Sequence, residues 1–340
     1  MNHSRQGDRL LHTGMSYNLS TQSFDSLASS WAELRHRLEW GSVFVLPRWL
    51  EVWWHEFGAG AELRLCDVRE DGNIIGIAPL KVKDGRASFI GSADVCDYMD
   101  FIVAPGKELA FFTVLLDDLR HSGISELYLE SLRPDSAALT SLADLARNQG
   151  HAVSCTLADV SLDLNLPATW EEYLEMLTPK QRRELGRKLR RLYEAGDIEY
   201  NTIKDTESIQ EAMDIFLKLL RDSREDKATF MTTRVESFFR SIAEAMAEAG
   251  LLRFGILKTN GLPVACVMCF DYNDKVYLYN SGYDPLHSYL SVGLLSKALS
   301  IKDSIARGRK TYDFLKGAEE YKYRQGGAEI PVYGCRIVLK

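Results

Sequence analysis

The hydrophobic and polar positions of the chain follow two periods, one typical of strands and one typical of helices. From Glu62 the period is two, and a turn at Asp71-Gly72-Asn73 leads into the apolar run 74–80, which predicts a β-hairpin followed by a strand at 87–90. Apolar spacings of three and four predict helices elsewhere. The predicted helices are 31–38, 47–57, 109–119, 136–147, 169–177, 179–195, 208–221, 233–249 and 292–307, and further strands are predicted at 127–130, 160–164, 276–283 and 310–315, with a second hairpin at 251–270.

The second hairpin repeats the first at one gap-free offset of 189 residues. A turn glycine, the phase of the strands and a serine at the end of the third strand agree together, which indicates two copies of one supersecondary unit. We therefore predict two homologous lobes that meet at Pro167: a flexible leader at 1–30, an N-terminal lobe at 31–166 and a C-terminal lobe at 167–340. The matching positions are Leu63-Arg64-Leu65 with Leu252-Arg253-Phe254, Gly72 with Gly261, Ile75-Gly76 with Val264-Ala265, and Ser92 with Ser281.

The composition is that of a globular protein. Of 340 residues, 46% are hydrophobic, and 41 basic against 48 acidic residues give a net charge of −7, which argues against broad nucleic-acid binding. Apolar runs are too short for a membrane span and the leader lacks a secretory pattern, so we expect a cytoplasmic protein whose six cysteines are free. Cys266-x-x-Cys269 lies in a predicted strand without further ligands, which favours buried thiols over a metal site.

The order of elements in the C-terminal lobe resembles the GNAT acyltransferase fold. Three stretches more specifically resemble the CelD-like acetyltransferase family, which is related to the Fem-type transferases with two tandem GNAT lobes. The resemblance covers 42–326 and implies an α+β fold of two tandem GNAT-like lobes, each a mixed, mainly antiparallel sheet flanked by helices. The stretches are Asp97-Tyr98-Met99-Asp100-Phe101, Ser281-Gly282-Tyr283-Asp284-Pro285, and Tyr312-Asp313-Phe314-Leu315-Lys316-Gly317 with Glu320-Tyr321-Lys322.

In GNAT enzymes the loop after the fourth strand and the next helix hold the coenzyme A pyrophosphate, which here implies a loop at 284–291. Many relatives carry a glycine-rich basic signature there, whereas 286–293 holds one glycine and no Arg or Lys. Free N–H groups at a helix start still favour phosphate. We therefore expect an acetyl-CoA or other acyl-CoA site, although the serines would also suit a helix cap and the glycine close packing. The residues assigned to it are Ser288, Ser291, Val292, Gly293 and Leu294.

Three residues are candidates for catalysis of acyl transfer, which needs a base, donors for the oxyanion and an acid for the thiolate. Tyr283 ends the strand near the expected thioester and would protonate the thiolate, whereas Asp284-Pro285 favours a turn and His287 a solvated side chain. Fem-type relatives use a lysine in an aromatic-Lys motif, which implies a role for Lys322 in polarising the carbonyl or binding phosphate. Asp313 would orient the amine or accept backbone N–H groups at the strand end.

Further residues are candidates for binding the acceptor. Asp97, Tyr98 and Asp100 cluster after a strand and would clamp an ammonium group or form an acidic surface turn. The helix at 179–195 carries seven cations in twelve residues, which suits an anion but also an ordinary amphipathic helix. We assign Arg183 and Arg187 on that helix, together with Tyr321, to substrate binding.

These observations predict an acyl-CoA-dependent N-acyltransferase without a metal, in which an amine attacks the thioester directly. The resemblance implies a small-molecule amine or sugar-nucleotide acceptor from cell-envelope or polysaccharide biosynthesis, with no DNA partner; O-acylation is also open. One alternative is an aminoacyl-tRNA-dependent Fem-type transferase, for which the basic helix would contact RNA. Another is a non-catalytic GNAT-like subunit of a polysaccharide biosynthesis complex.

Overall fold

The computed structural model describes residues 9–10, 15–203 and 207–340. The chain forms two compact units, Met1–Asp159 with Pro331–Lys340, and Val160–Ile330. The end of the chain, Pro331–Lys340, therefore belongs to the first unit. We had predicted a single boundary between the two lobes, at Pro167. The segment that we expected to be a flexible leader is structured from Ser16 onwards, because its strand pairs with the first hairpin.

The first unit is a mainly antiparallel sheet flanked by helices. Its strands follow the order β1-β2-β3-β4-β5-β7-β14, and β6 pairs with β4. One neighbouring pair, β5 with β7, is parallel. The elements are β1 (Arg9–Leu10), β2 (Ser16–Thr21), α1 (Phe24–Leu34), α2 (Pro47–Phe57), β3 (Glu62–Glu70), β4 (Asn73–Lys83), β5 (Arg86–Phe89), β6 (Ile102–Val103), α3 (Glu108–His121), β7 (Glu126–Leu132), a π-turn (Ala138–Leu142), α4 (Ala143–Asn148), β8 (Ala152–Asn165), which continues into the second unit, and β14 (Ala328–Val338), which returns from it.

The second unit has the same kind of sheet, in the order β8-β13-β12-β11-β10-β9. Its parallel pair is β12 with β13, and it extends over three residue pairs, from Lys275↔Thr311 to Tyr277↔Asp313. The elements are α5 (Trp170–Met176), α6 (Pro179–Glu194), β9 (Ile198–Ile203), α7 (Ile209–Ser223), α8 (Glu225–Phe230), α9 (Thr233–Glu248), β10 (Leu252–Thr259), β11 (Leu262–Tyr272), β12 (Lys275–Tyr283), a 3-10 turn (Pro285–Leu290), α10 (Val292–Ala306), β13 (Thr311–Lys316) and α11 (Glu320–Arg324).

The structure confirms the repeat. Shifting β4 (Asn73–Lys83) by 189 gives the bounds of β11 (Leu262–Tyr272), and the same shift moves the start of β5 to the start of β12. Both hairpins turn on a residue pair with positive φ, Asp71-Gly72 and Asn260-Gly261, as two-residue hairpin loops require. The predicted α+β fold of two GNAT-like lobes is therefore the observed one.

Several elements differ from the prediction at the ends of the chain and in the second unit. The first helix lies at Phe24–Leu34 rather than 31–38, because Ser23 accepts a hydrogen bond from the Ser26 N–H and starts it earlier. Strands β9 and β14 and helix α8 were not predicted. In β14 the buried residues Cys335 and Ile337 alternate with exposed Arg336, a strand pattern that lies beyond the segment covered by the family resemblance.

The structure corrects the expectation of six free cysteines. Cys155 in β8 and Cys335 in β14, which are 180 residues apart, form a disulfide within the first unit. Spacing in the sequence does not reveal this pair, since only the unpredicted strand β14 brings the two thiols together. Cys66, Cys96, Cys266 and Cys269 are buried and form no disulfide, as we predicted for the Cys-x-x-Cys pair.

The core of the second unit lies between its sheet and α10. Apolar residues of β11, β12 and β13 pack against Val292, Leu295, Ala298 and Ile301 of that helix. The burial of these side chains holds α10 against the sheet and places the start of the helix close to the strand ends. Within the described ranges, we find no helix with both the length and the apolar character needed to cross a bilayer.

Gly282 allows β12 to approach α7 at van der Waals distance. A Cβ at this position would lie 2.4 Å from the Leu220 nitrogen, which is backbone and cannot rotate away. We expect Gly282→Ala to lower the free energy of unfolding by about 3 kcal/mol through overpacking, measured by urea denaturation. Gly186→Ala is the control, because a Cβ there meets nothing within 4 Å and should stabilise α6 by about 1 kcal/mol. Equal stability of the two variants would contradict this account of the contact.

Candidate active site

The turn between β12 and α10 is built by Asp284. Its carboxylate accepts hydrogen bonds from the Leu286 N–H at 2.9 Å and from His287 Nδ1 at 2.9 Å. Burial acts to raise the pKa of Asp284, but these two hydrogen bonds outweigh it and lower the pKa. The structure thus gives Asp284 the turn role that its Asp-Pro sequence suggested.

The turn ends at Ser291, which precedes the first residue of α10. Ser291 has the left-handed conformation, with φ of 59° and ψ of 32°. Its side chain makes no capping hydrogen bond to the helix, and its hydroxyl instead accepts one from the Arg191 guanidinium at 3.2 Å. Arg191 of α6 therefore places a positive charge beside the start of α10, whereas the loop 286–293 has no Arg or Lys of its own. Ser288 lies on the exposed side of the turn, and its carbonyl accepts from the Ser291 N–H.

The first N–H groups of α10 have no carbonyl partner within the helix itself. Leu294 and Leu295 donate to the Ser291 carbonyl, whereas no acceptor for the Val292 and Gly293 N–H groups occurs in the described part of the chain. With Arg191 nearby, these two donors and the positive end of the helix dipole form a place for an anion.

The ring of Tyr283 packs on the first turn of α10. A Cβ on Gly293 would lie 2.8 Å from Cδ1 of Tyr283, so only glycine allows this contact without a shift of the ring. Further along the turn, the Leu294 carbonyl accepts a hydrogen bond from the buried Gln325 side chain at 2.9 Å. The residues that we assigned to the coenzyme A site thus lie together at the turn and the start of α10.

Two lysines that the sequence pattern did not indicate lie near this turn, of which Lys297 is buried and Lys227 is half-buried. Lys297 of α10 donates to the Gly293 carbonyl at 2.7 Å and stands 4.7 Å from the ring centre of Tyr321. Lys227 of α8 donates to the Asn280 side chain at 3.1 Å and to the Ser281 carbonyl at 2.5 Å, near the end of β12.

Both lysines lose basicity in these positions. Burial, and next the positive charge of Lys227, lowers the pKa of Lys297 to about 7. Burial and the nearby Arg224 lower the pKa of Lys227 to about 8. Lys297 could have been found as the one charge in the run 292–301, whereas Lys227 lies in a helix that the pattern did not predict. A lysine that is partly neutral near pH 7 is able to act as a base.

The predicted catalytic residues Lys322 and Asp313 are both buried, and both bind the same backbone segment. The Lys322 ammonium donates to the carbonyls of 315, 316 and 317 at 3.0, 2.5 and 3.0 Å and pairs with Glu319 at 2.8 Å. Asp313 accepts from the Leu315 N–H at 2.8 Å and lies 3.6 Å from Lys275 Nζ. Leu315 has a φ of 62°, so these side chains hold a bulge at the end of β13.

Tyr321, which we assigned to substrate binding, lies beside Lys297 rather than in solvent. Its ring is partly buried against the core, and burial raises the pKa of its hydroxyl. It also contacts Phe314 edge to face, with ring centres 6.4 Å apart. Tyr321 thus forms a wall beside the Lys297 ammonium.

In the first unit, the predicted acidic cluster supports local structure. Tyr98 is buried between Phe44 and the Arg133 guanidinium, and Asp97 is half-buried. The Asp100 carboxylate accepts from the N–H groups of Ala137 and Ala138 at 2.7 and 3.2 Å, and burial raises its pKa to about 7. Asp100 therefore caps the start of the helical segment Ala138–Leu142.

A pocket of about 500 Å³ lies close to this cluster but is lined by other residues. Lys81 stands 4.6 Å above the Trp53 ring and donates to the carbonyls of Phe89 and Gly91, the latter at 2.7 Å. Burial lowers the pKa of Lys81 to about 8. Met99 of the predicted motif is a lining residue, whereas Asp97 and Asp100 are not. The pocket is mainly apolar with a charged wall, which suits an organic ligand carrying a polar group.

On α6, the two predicted substrate-binding arginines face outwards. Arg183 and Arg187 are exposed, whereas Leu185 and Leu192 are buried in the core of the second unit. The structure therefore brings Arg191 to the turn before α10 and leaves Arg183 and Arg187 on the surface.

Comparisons with known proteins agree with this geometry. Residues 179–323 match the family model described as acetyltransferase (GNAT) domain. The crystal structure of FemX is similar over 93% of this chain and 96% of that chain, with a TM-score of 0.63 and 12% identity. A conserved protein of unknown function from Bacteroides thetaiotaomicron covers 94% and 99%, with a TM-score of 0.61 and 14% identity. L-PGS from Bacillus licheniformis covers 86% and 90%, with a TM-score of 0.50 and 11% identity.

A search of curated proteins found no match to the chain. The structural similarities at these identities establish the fold, and residues 179–323 are similar to a GNAT acetyltransferase domain. The turn before α10 lies inside the matched segment, and the match supports an acyltransferase.

Lys322 is expected to stabilise the bulge at 315–317. Lys322→Met removes the donor for three carbonyls, and we expect the free energy of unfolding to fall by about 3–5 kcal/mol, because buried polar groups lose their partner. Thermal and urea unfolding measure this loss, with Lys302→Met as a control at an exposed lysine. If Lys322→Met remained as stable as the unmodified protein while losing activity, the lysine would act in the chemistry instead.

Proposed function

We propose that the protein is an acyl-CoA-dependent N-acyltransferase, with acetyl-CoA as the simplest donor. The observation that carries this proposal is the start of α10, where two N–H groups without an acceptor in the described residues stand beside Ser291 and Arg191. The family resemblance supports an amine acceptor from cell-envelope or polysaccharide biosynthesis. An acyl-CoA would supply an activated thioester carbonyl to that amine.

The residues of the turn fit the phosphates of the donor. The N–H groups of Val292 and Gly293 would donate to the pyrophosphate, and Arg191 would supply the cation that the loop lacks. Because the Ser291 hydroxyl does not cap the helix, its proton is available to a ligand. This arrangement replaces the glycine-rich basic signature of many GNAT enzymes.

The two lysines near the turn supply a base for the proposed reaction. Lys297 would take the proton of the acceptor ammonium, which leaves a neutral amine to form the C–N bond at the thioester carbonyl. As the C–S bond breaks, Tyr283 would give its proton to the thiolate, since its ring lies against the first turn of α10, and the second proton that the nitrogen loses as the amide forms would restore the tyrosine hydroxyl. Lys227 acts through Lys297, because its charge lowers the basicity of that side chain. Lys322 and Asp313 would position the strand end.

The first unit offers a ligand pocket of its own. The pocket is lined by Trp53 and Lys81, where an aromatic face and an ammonium group adjoin, and it would bind an organic ligand within that unit. A sugar or amine precursor with a polar group would find apolar walls there and charged groups at the edge. Asp97, Tyr98 and Asp100 would support the segment that carries Met99 rather than touch this ligand.

A second candidate is transfer from an aminoacyl-tRNA. Two observations favour it: the fold is similar to that of FemX over 93% of the chain, and exposed cations line α6. In this case the aminoacyl ester replaces the thioester, and the same lysine base would serve the reaction. The two donors are distinguished by binding experiments.

Calorimetric titration of the full chain with acetyl-CoA and longer acyl-CoAs tests the donor. We expect saturable binding that weakens about tenfold in Arg191→Gln, because a charge-assisted contact to phosphate is lost. Arg182→Gln is the matched control, since Arg182 is an exposed arginine of the same helix. Absence of binding to any acyl-CoA, together with retention of charged tRNA in a filter assay, would replace this donor by the second candidate.

The pH dependence of kcat/KM tests the base. A neutral Lys297 requires the rate to rise with pH through about 7. Lys227→Met removes the like charge and should move this rise to higher pH, so that activity at pH 7 falls, whereas Lys227→Arg keeps the charge and the profile. Lys297→Met should abolish the rise; an unchanged profile in that variant would exclude Lys297 as the base.

A further inference from the structure

A stripe of cations runs along the exposed side of α6. Lys180, Arg183, Arg187 and Arg190 follow one another at spacings of three, four and three residues, which places them on one face of the helix. Among the described residues, none of the four has a carboxylate within 4.0 Å. The opposite side of the helix carries Leu185 and Leu192, which are buried.

The positive charge of this stripe is opposite to the net charge of the protein. The chain has a net charge of −7, and several arginines on other helices are paired with carboxylates. Arg240 contacts Asp214 and Glu236, and Arg324 contacts Glu320. Four cations on one helix face, none of them within ion-pair distance of a described carboxylate, indicate attraction to an anionic partner.

Exposed apolar side chains accompany the stripe. In the described residues, nine large apolar side chains are exposed, and four of them flank α6 or lie on the turn that contacts it. The hydrogen bond from Arg191 to Ser291 joins this turn to the helix. The four are Met176 with 54% of its surface exposed, Tyr193 with 54%, Leu286 with 83% and Tyr289 with 63%.

We propose that α6 and the adjoining turn dock the protein on a lipid bilayer that contains anionic lipids. We call these residues the docking surface: the cations Lys180, Arg183, Arg187 and Arg190 and the apolar Met176, Tyr193, Leu286 and Tyr289. Arg183 and Arg187 thereby bind lipid headgroups rather than a dissolved substrate. The proposal does not depend on the identity of the acyl donor.

The combination of side chains favours a bilayer over RNA. Cations alone would suit either partner, since phosphate groups are common to both. Bases would stack on tyrosines, but a leucine with 83% of its surface exposed gains little from a polynucleotide. At a membrane interface, Leu286 and Tyr289 would insert among the acyl chains while the cations remain at the headgroups.

Sedimentation with vesicles tests the docking surface on the full chain. We expect the protein to sediment with vesicles of phosphatidylcholine and phosphatidylglycerol and to remain in solution with phosphatidylcholine alone. Raising the salt concentration should weaken this binding, because the attraction to headgroups is screened. Failure to sediment with the anionic vesicles at low salt would overturn the proposal.

Variants separate the contributions of charge and apolar surface. The triple variant Arg183→Gln, Arg187→Gln, Arg190→Gln should weaken vesicle binding about a hundredfold, at about fivefold per cation. The double variant Leu286→Ser, Tyr289→Ser should weaken it about tenfold through lost insertion. The control Arg35→Gln, Arg37→Gln, Lys310→Gln removes three exposed cations elsewhere and should bind as the unmodified protein does.

Circular dichroism and thermal unfolding verify that these surface variants fold. Equal vesicle binding by the triple variant and its control would show that the stripe does not dock the protein. If instead the stripe variants lost binding to tRNA in a filter assay while the unmodified protein ignored vesicles, the partner would be RNA and the bilayer proposal would be wrong.

Discussion

The candidate site depends on the short parallel pairing of β12 and β13. The two strands pair over three residues and then part, since β12 continues to Tyr283 along β11 while β13 bulges at Leu315. Strands that part leave backbone groups without their sheet partners, and these must be satisfied by side chains. The lysines and the aspartate of this region satisfy them, so the opening between the strands and its buried charges arise together.

Buried or half-buried lysines that bind backbone carbonyls recur in both units. Lys81 binds the carbonyls at and just after the end of β5, Lys227 and Lys297 bind those at the end of β12 and the start of α10, and Lys322 binds those of the bulge at the end of β13. An ammonium group has three donors and no acceptor, which suits it to carbonyls at irregular strand ends. The surroundings then set the pKa of each lysine. The pKa of Lys297, which lies near the positive charge of Lys227, is lowered the most.

The sequence was sufficient to predict the repeat, the hairpins and the turn before α10, because turn residues and apolar periods are local signals. It was not sufficient for the roles of Lys322 and Asp313. Their spacing placed them correctly at a strand end, but whether a carboxylate meets a backbone N–H or a ligand depends on a bulge that no local pattern encodes. For the same reason Arg191 was not distinguished from the other cations of its helix and Lys227 was missed, since their partners Ser291 and Ser281 are 100 and 54 residues away.

The return of the chain end to the first unit has a consequence for synthesis on the ribosome. Residues 160–330 form a continuous unit, whereas the sheet of the first unit lacks β14 until residues 331–340 have been made. The second unit is therefore able to complete its sheet first, although it is translated later. During that interval the outer edge of β7 is open, and a nascent chain with an open strand edge is a target for chaperones.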